Sequence, residues 1–280
     1  MCYNSGEVIY LKVILGVDIG GSTTKIVALT ENKNIVDTLQ VKAGDQKTSL
    51  YGAIGHILYK NNLKMEDVLK IVLTGVGAEA VSGDIYDIKT CRVKEFEAIG
   101  CGGKMLSGKD NILVMSMGTG TAFVRAQNGN IRHIGGSGVG GGTLLGLSAK
   151  MLDTTDIDFI VSLAEKGNLN NVDLSIGDIS NAEIPSLPAD ATAANFGRLR
   201  AAATKEDLAK GLMNTVFQTA GMLAVFACLD TDIKDVVVTG TLASFPQAKE
   251  ILPAVGALHN LNFIIPENAI FATAIGAALL

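Results

Sequence analysis

The sequence predicts an α/β fold, duplicated into two related halves with a cleft between them. Two turns of one design point to it. The first reads Leu15-Gly16-Val17-Asp18-Ile19-Gly20-Gly21-Ser22-Thr23-Thr24-Lys25-Ile26-Val27, and the second Leu113-Val114-Met115-Ser116-Met117-Gly118-Thr119-Gly120-Thr121-Ala122-Phe123-Val124. Each sets glycines and hydroxyls between two apolar strands. A second observation is the order strand, hairpin, helix, strand, which occurs twice along the chain. A third is composition: 280 residues that are 48% hydrophobic and 18% charged supply core for one large domain or two modest ones.

In chain order, residues 1–10 read as a loose leader. Strands are expected at Val13–Ile19, Lys25–Leu29 and Ile35–Val41, the last two joined by the polar turn Glu31-Asn32-Lys33-Asn34. Leu50, Ile54, Ile57 and Leu58 recur at helical spacing and predict a helix over 47–61. Ile71–Thr74 reads as a short buried strand ending in Gly75-Val76-Gly77. The opening pattern then returns, with strands at Ile112–Met117 and Ala122–Ala126 and an Asn128-Gly129 turn of the hairpin kind.

Thr204 and Asp207 form a capping box that starts a long helix from Lys205 to about Leu229. Its expected buried stripe is Leu208, Leu212, Val216, Leu223 and Phe226. Val236–Thr239 is a further buried strand, again ending in a turn, Thr239-Gly240-Thr241. A helix of small residues, Asn268 to Leu280, closes the chain and is built for close packing. The expected halves are 11–109 and 110–267, with residues 268–280 packing back on the first. Residues 153–200, with Pro185 and Pro188, interrupt the regular order as an insertion in the second half.

Several function classes fall away on composition. With 23 Lys and Arg against 28 Asp and Glu, the net charge of −5 argues against a nucleic-acid binder, which needs a basic surface. The four cysteines, Cys2, Cys91, Cys101 and Cys228, form no C-x-x-C pair, which argues against structural zinc and a disulfide framework. The longest apolar stretch, around Met222 to Leu229, is too short for a bilayer, and the first ten residues lack a secretory profile. The expected setting is the cytoplasm. The two glycine turns supply what remains: consecutive N–H groups and hydroxyls make a concave anion site, and two of them suit a polyphosphate gripped from both sides.

The ordered set Asp18-x-Gly-Gly-Ser-Thr-x-Lys25, Gly118-Thr119-Gly120-Thr121 and Val238-Thr239-Gly240-Thr241 resembles the phosphate and adenosine motifs of the actin/hexokinase/Hsp70 ATPase superfamily, whose fold is ribonuclease-H-like and doubled. Lys94-Glu95-Phe96-Glu97-Ala98, the run Gly135 to Thr143, and Asp190-Ala191-Thr192-Ala193-Ala194-Asn195-Phe196-Gly197 narrow the resemblance to type II pantothenate kinases, over nearly the whole chain from residue 12. The resemblance implies ATP-dependent phosphorylation of the primary hydroxyl of pantothenate, with Mg²⁺ and in a homodimer. By position it implies that Gly20, Gly21, Ser22, Thr23, Thr24 and Lys25 hold phosphates, that Gly141, Gly142, Thr143, Leu144 and Leu145 meet the nucleotide at a helix start, and that Gly240 and Thr241 line the adenosine side. Thr119 would lie between nucleotide and acceptor.

Read as residues, either Glu95 or Glu97 suits the carboxylate that takes the acceptor's proton. The resemblance favours Glu95. Asp18, beside the first turn, suits a water-mediated hold on Mg²⁺, and Lys25 a point charge near phosphates. Two departures from the family pattern fall on the acid substrate: His133 stands where an arginine is usual, with Arg132 one residue earlier, and Ala122 replaces a common serine. Arg132 is expected to take over the contact to the acid, its planar fork suiting a carboxylate better than a ring nitrogen. Asn195, beside Thr192, is placed either at the substrate mouth or at a dimer seam. Other readings are a kinase for a different hydroxy acid or a sugar, a nucleotide-binding relative without catalysis, and an ATP-driven activase of a 2-hydroxyacyl-CoA dehydratase, whose first motif is similar.

Overall fold

The structure is a computed structural model that describes residues 11–42, 44–180 and 188–280. The expected leader, residues 1–10, and Pro185 of the insertion lie outside the described residues. Strands β1 (Val13–Ile19), β2 (Thr23–Thr30) and β3 (Ile35–Lys42) lead to helix α1 (Gln46–Lys60), strands β4 (Val68–Thr74) and β5 (Thr90–Arg92), and helix α2 (Glu95–Ser107). Strands β6 (Ile112–Met117), β7 (Thr121–Gln127) and β8 (Asn130–Ser137) follow, then helices α3 (Gly141–Met151) and α4 (Ile157–Lys166). A small ribbon of β9 (Leu174–Ser175) and β10 (Thr192–Ala194) flanks the short helix α5 (Ile176–Ile179). Helix α6 (Lys205–Cys228), strand β11 (Asp235–Thr239), helix α7 (Pro246–His259), strand β12 (Asn262–Ile264) and helix α8 (Ala272–Leu279) complete the chain.

Two compact units result: residues up to Met105 together with Phe271–Leu280, and Leu106–Ile270. Each holds a five-stranded sheet, ordered β3-β2-β1-β4-β5 in the first and β8-β7-β6-β11-β12 in the second. Chain order along both sheets is third, second, first, fourth, fifth, with two antiparallel hairpin pairs and then parallel pairs. The fold is therefore duplicated. The Asn128-Gly129 hairpin has φ of 53° and 77°, the paired left-handed geometry that favours Asn-Gly.

In the first unit the two faces of the sheet have different covers. Val13, Leu15, Val17, Ile19, Ile26 and Ala28 pack on α1 through Leu50, Ile54 and Ile57. The opposite face carries Ile14, Val72, Ala98 of α2 and Ala277 of α8. Here small residues matter: a Cβ on Gly102 would overlap the Ala272 carbonyl, one on Gly276 the Ala98 carbonyl, and one on Gly16 the Ala274 carbonyl. The closing helix packs as its composition predicts, backbone to backbone. In the second unit Leu113, Met115, Met117 and Phe123 pack on α6 through Leu212, Val216 and Phe217.

Helix α6 has the expected capping box, with Thr204 Oγ1 accepting from the Asp207 amide at 3.3 Å and Asp207 accepting from the Thr204 amide at 3.0 Å. The stripe differs. Phe226 is 59% exposed, whereas Met213, Phe217, Ala220 and Ala224 are buried. The helix is buried along so much of its surface that no single row of spaced apolar residues marks its core side. It is long and apolar enough to cross a membrane by length and composition, contrary to the expected limit, but its buried side carries Asp207 and Asn214, both hydrogen-bonded inside the unit.

Close helix contact carries a prediction. Gly276→Val should cost about 3 kcal/mol or more in urea unfolding, because backbone carbonyl and not a movable side chain occupies the added volume. Gly146→Ala, in α3 with nothing near its Cβ, should instead gain up to about 1 kcal/mol.

Candidate active site

The site builds on charges that strand pairing leaves inside the first unit. Asp18 and Lys25 are direct cross-strand partners of β1 and β2, so their side chains share a face. That face is the one covered by α2 and α8, since Ile14 and Gly16 on it meet those helices. Asp18 is 9% exposed and Lys25 is 8% exposed. Burial pushes the Asp18 carboxyl up to about 6, opposed by the Lys25 ammonium and reinforced by the negative charge of Glu95. Glu95, the first residue of α2, is itself raised by burial and drawn back by Lys25. Three charged residues from β1, β2 and α2 thus act on one another.

Glu97 is separated from this group. Its side chain is 48% exposed and pairs at 3.4 Å with Lys94 on the surface. Glu95 lines a pocket of about 260 Å³ with Gly75, Ala78, Glu79, Arg92, Val93 and Lys94. The Thr74 hydroxyl donates to the Val93 carbonyl at 3.1 Å, and the Val93 amide donates to Leu73 O at 3.0 Å, which ties the ends of β4 and β5 together beneath the pocket.

Gly75, between β4 and a 3-10 turn, was legible only as a strand end, yet the site depends on it. Its φ is +88°, and a Cβ there would stand 2.6 Å from Asp18 Oδ1 and from the Ile19 carbonyl. Gly240 holds the matching place after β11, at φ +87°, where a Cβ would lie 2.5 Å from the Met117 carbonyl. Both need the left-handed region that glycine enters freely. The doublets Thr74-Gly75 and Thr239-Gly240 were the signal available in the sequence.

The two glycine turns work differently from this. Neither Gly20 and Gly21 nor Gly118 and Gly120 has a left-handed φ. The Gly20 amide donates to Thr23 O at 3.0 Å and closes the first turn, leaving Gly21 and Ser22 exposed. Thr23 is half-buried, but Thr24 points the other way, onto the α1 face, fully buried and without a hydrogen-bond partner at Oγ1 among the described residues. Its side chain is a core element.

In the second unit the Gly118 amide closes its turn on Gly120 O at 2.8 Å. Gly141 and Gly142 donate to the carbonyls of Gly118 and Thr119 at 2.9 and 2.8 Å. Their amides brace the turn and are not offered outward, which corrects the expectation of donors at that helix start. Leu144 is fully buried with its amide bonded to Gly140 O, so its side chain belongs to the core, and the half-buried Leu145 packs against the same core. The Thr143 hydroxyl donates to Gly138 O at 2.7 Å. Thr119 is exposed; Gly240 donates its amide to Ala269 O, and Thr241 is half-buried.

Arg132 and His133 lie on β8. Arg132 pairs with Arg125, whose guanidinium reaches Ala227 O of α6 at 2.8 Å; His133 pairs with Val124 on the opposite face, next to a bulge. A shift of one residue therefore changes the face, and Arg132 cannot take the place of His133. Asn195 is drawn inward to a carboxylate: Asp173 accepts from Asn195 and Thr192 at 3.3 Å each, from the Phe196 amide at 2.8 Å and from Asn214 at 2.7 Å. Asn195 also donates to Gln218 at 3.3 Å. Of the described cysteines only Cys228 is buried; Cys91 and Cys101 are half-buried.

Against known proteins, a model of the family described as Fumble matches residues 109–250. The chain belongs to the Fumble family. Among its relatives, the type II pantothenate kinase of Staphylococcus epidermidis is 28% identical over 95% of this chain and 99% of its own length. That of Staphylococcus aureus is 27% identical over 95% and 98%. The Fumble chain also shares its fold with solved structures. The activator of 2-hydroxyisocaproyl-CoA dehydratase from Clostridium difficile with bound ADPNP has a TM-score of 0.68 at 22% identity, covering 95% of this chain and 93% of that one. A ROK family glucokinase from Streptomyces griseus with glucose and AMPPNP has a TM-score of 0.59 at 12% identity, covering 95% and 98%. These likenesses fix the actin/hexokinase-type fold class.

The raised Asp18 carboxyl has a stability consequence in the protein free of nucleotide and magnesium. A folded pKa of about 6 against 3.8 unfolded means that the folded chain holds the extra proton between those values, so ionised Asp18 opposes folding above pH 6. Asp18→Asn should raise unfolding free energy at pH 8 by up to roughly 3 kcal/mol, and the gain should vanish as the pH falls through 6 to below 4. Urea titrations at pH 4, 6 and 8 measure it; a gain independent of pH would contradict it.

Proposed function

We propose that this chain phosphorylates the primary hydroxyl of pantothenate, with ATP as donor and Mg²⁺ as counter-ion. The observation that carries the reading is the convergence of Asp18, Lys25 and Glu95 in the first unit, with Glu95 lining a pocket of small-molecule size. The relatives' names supply the acceptor.

Phosphoryl transfer asks mostly for positioning and charge stabilisation. Glu95, made more basic by burial and kept ionised by Lys25, takes the hydroxyl proton. The freed oxygen forms its bond to the γ-phosphorus while the bond from that phosphorus to the β–γ bridging oxygen breaks, leaving ADP and a phosphate monoester. The exposed backbone of Gly21 and Ser22, on a turn closed by Gly20 and Thr23, suits phosphate oxygens, and Lys25 supplies a positive charge from the neighbouring strand. In the second unit the proposed hydroxyl contacts to the nucleotide are Thr119, Thr143 and Thr241, on turns that Gly141, Gly142 and Gly240 brace.

Magnesium fits the donor set. Among the described residues no group of three or more His, Cys, Asp or Glu could hold a metal ion, so a divalent cation here would rely on phosphate and water, as Mg²⁺ does. Asp18, a buried carboxylate whose ionised form is disfavoured, gains from a nearby cation, and would orient the ion's water ligands. A homodimer is part of the proposal, with Phe226 and Leu229 at the end of α6, each 59% exposed, as apolar surface for it. The proposed setting is the cytoplasm, where Cys91, Cys101 and Cys228 stay as thiols.

ATP-coupled turnover across pantothenate, other hydroxy acids and sugars tests the acceptor; activity confined to sugars would refute it. Glu95→Gln should lower kcat by about 10²–10⁴-fold while the ATP dissociation constant stays within about threefold. In the wild type kcat/KM should fall as pH drops through the raised Glu95 pKa, a limb that the Gln variant should lack.

A further inference from the structure

The pocket beside Glu95 holds a cation that the proposed chemistry has not used. Arg92 ends β5 and lines the same pocket as Glu95, three residues away across the turn into α2. Its Nε donates to the Ala78 carbonyl at 3.1 Å, which fixes the plane of the guanidinium at the pocket wall. Among the described residues its two Nη groups have no hydrogen-bond or ion-pair partner. The pocket's other cation, Lys94, is already paired with Glu97 at 3.4 Å. Glu79 is the remaining charged residue of the lining and is exposed.

Arg92 is exposed, anchored through one donor with the others facing solvent, so its guanidinium is free to meet a planar oxyanion at the pocket. The fork matches a carboxylate and stays charged at any physiological pH. At about 260 Å³ the pocket lies near the small end of ligand sites, roughly 300–1,000 Å³. A ligand filling it meets the proton acceptor at one place and the guanidinium at another. We infer that Arg92 binds the carboxylate of the acceptor, and that it makes this enzyme select primary alcohols that carry an acid group at the far end. The inference rests on the reading of the chain as a pantothenate kinase and adds the residue that recognises the acid.

The pairing places the acid in the first unit, alongside the base, so that the acceptor hydroxyl is oriented by elements of one rigid strand-and-helix junction. Glu79 at the rim sharpens selection: an acceptor with its acid wrongly placed meets negative charge there. Such recognition is expressed in KM and not in kcat, because the carboxylate is remote from the bond changes.

Steady-state kinetics with pantothenate and with its uncharged alcohol analogue pantothenol test this. Arg92→Met should raise KM for pantothenate by 10- to 100-fold and change kcat by less than threefold, with KM for pantothenol within threefold of wild type. Arg92→Lys should recover part of the loss, and circular dichroism with thermal melting checks that both variants fold. Direct pantothenate binding by calorimetry should weaken in parallel. An unchanged pantothenate-to-pantothenol ratio in a folded Arg92→Met would overturn the inference while leaving the kinase reading intact, as would transfer of the whole effect to Arg132→Ala. A wild-type enzyme without turnover of pantothenate would overturn the kinase reading and this inference with it.

Discussion

Left-handed glycine at the end of the fourth strand is the constraint on which both units are arranged. In each sheet the chain must leave that strand while pressing its backbone against the end of the first strand, and no side chain fits the approach. At Gly75 the neighbour is the Asp18 carboxylate itself, so the turn both shields that group from water and lines the adjoining pocket. Desolvation of Asp18, and through it the balance of charge with Lys25 and Glu95, follows from a backbone contact. At Gly240 the same contact falls on Met117, and no ionisable group is involved.

The duplication is thus exact in topology and unequal in chemistry. Cross-strand partners at the first turn are Asp18 and Lys25, whereas the corresponding pair at the second is Ser116 and Ala122. One unit buries opposite charges, which is costly unless they are kept together. The other buries none at this place and spends its glycines on close backbone contact. The interacting buried charges accordingly gather in the first unit, while the second carries hydroxyls on braced turns. Its inner polar hub, Asp173 with Asn214, Thr192 and Asn195, contains only neutral donors and serves to fasten β10 to α6.

Much of the fold was legible. β1 and β6 stand at the residues that alternation and turn chemistry indicate, and the α6 start is set by Thr204 and Asp207. Local rules decide such features. What escaped depended on distant partners. Phe226 lies on the helical period but faces outward, because neighbouring elements and not spacing choose the buried side. Gly141 and Gly142 read as phosphate donors until the carbonyls of Gly118 and Thr119 are seen to claim them. Asn195 sits in a segment of small residues whose donors turn inward to Asp173, 22 residues earlier. Arg132 and His133 are adjacent in sequence and opposite in space, a distinction that only the β7–β8 register reveals. Glu95 and Glu97 are equivalent in composition and separated by burial alone.

The bonds from Gly141 and Gly142 to the second turn have a mechanical effect. They weld the loop carrying Thr119 to the first residues of α3, whose Leu144 is sunk among the side chains of the second unit. The exposed Thr119 and the buried Leu144 thus belong to one hydrogen-bonded segment, and the packing of α3 on α6 holds that segment from the inside.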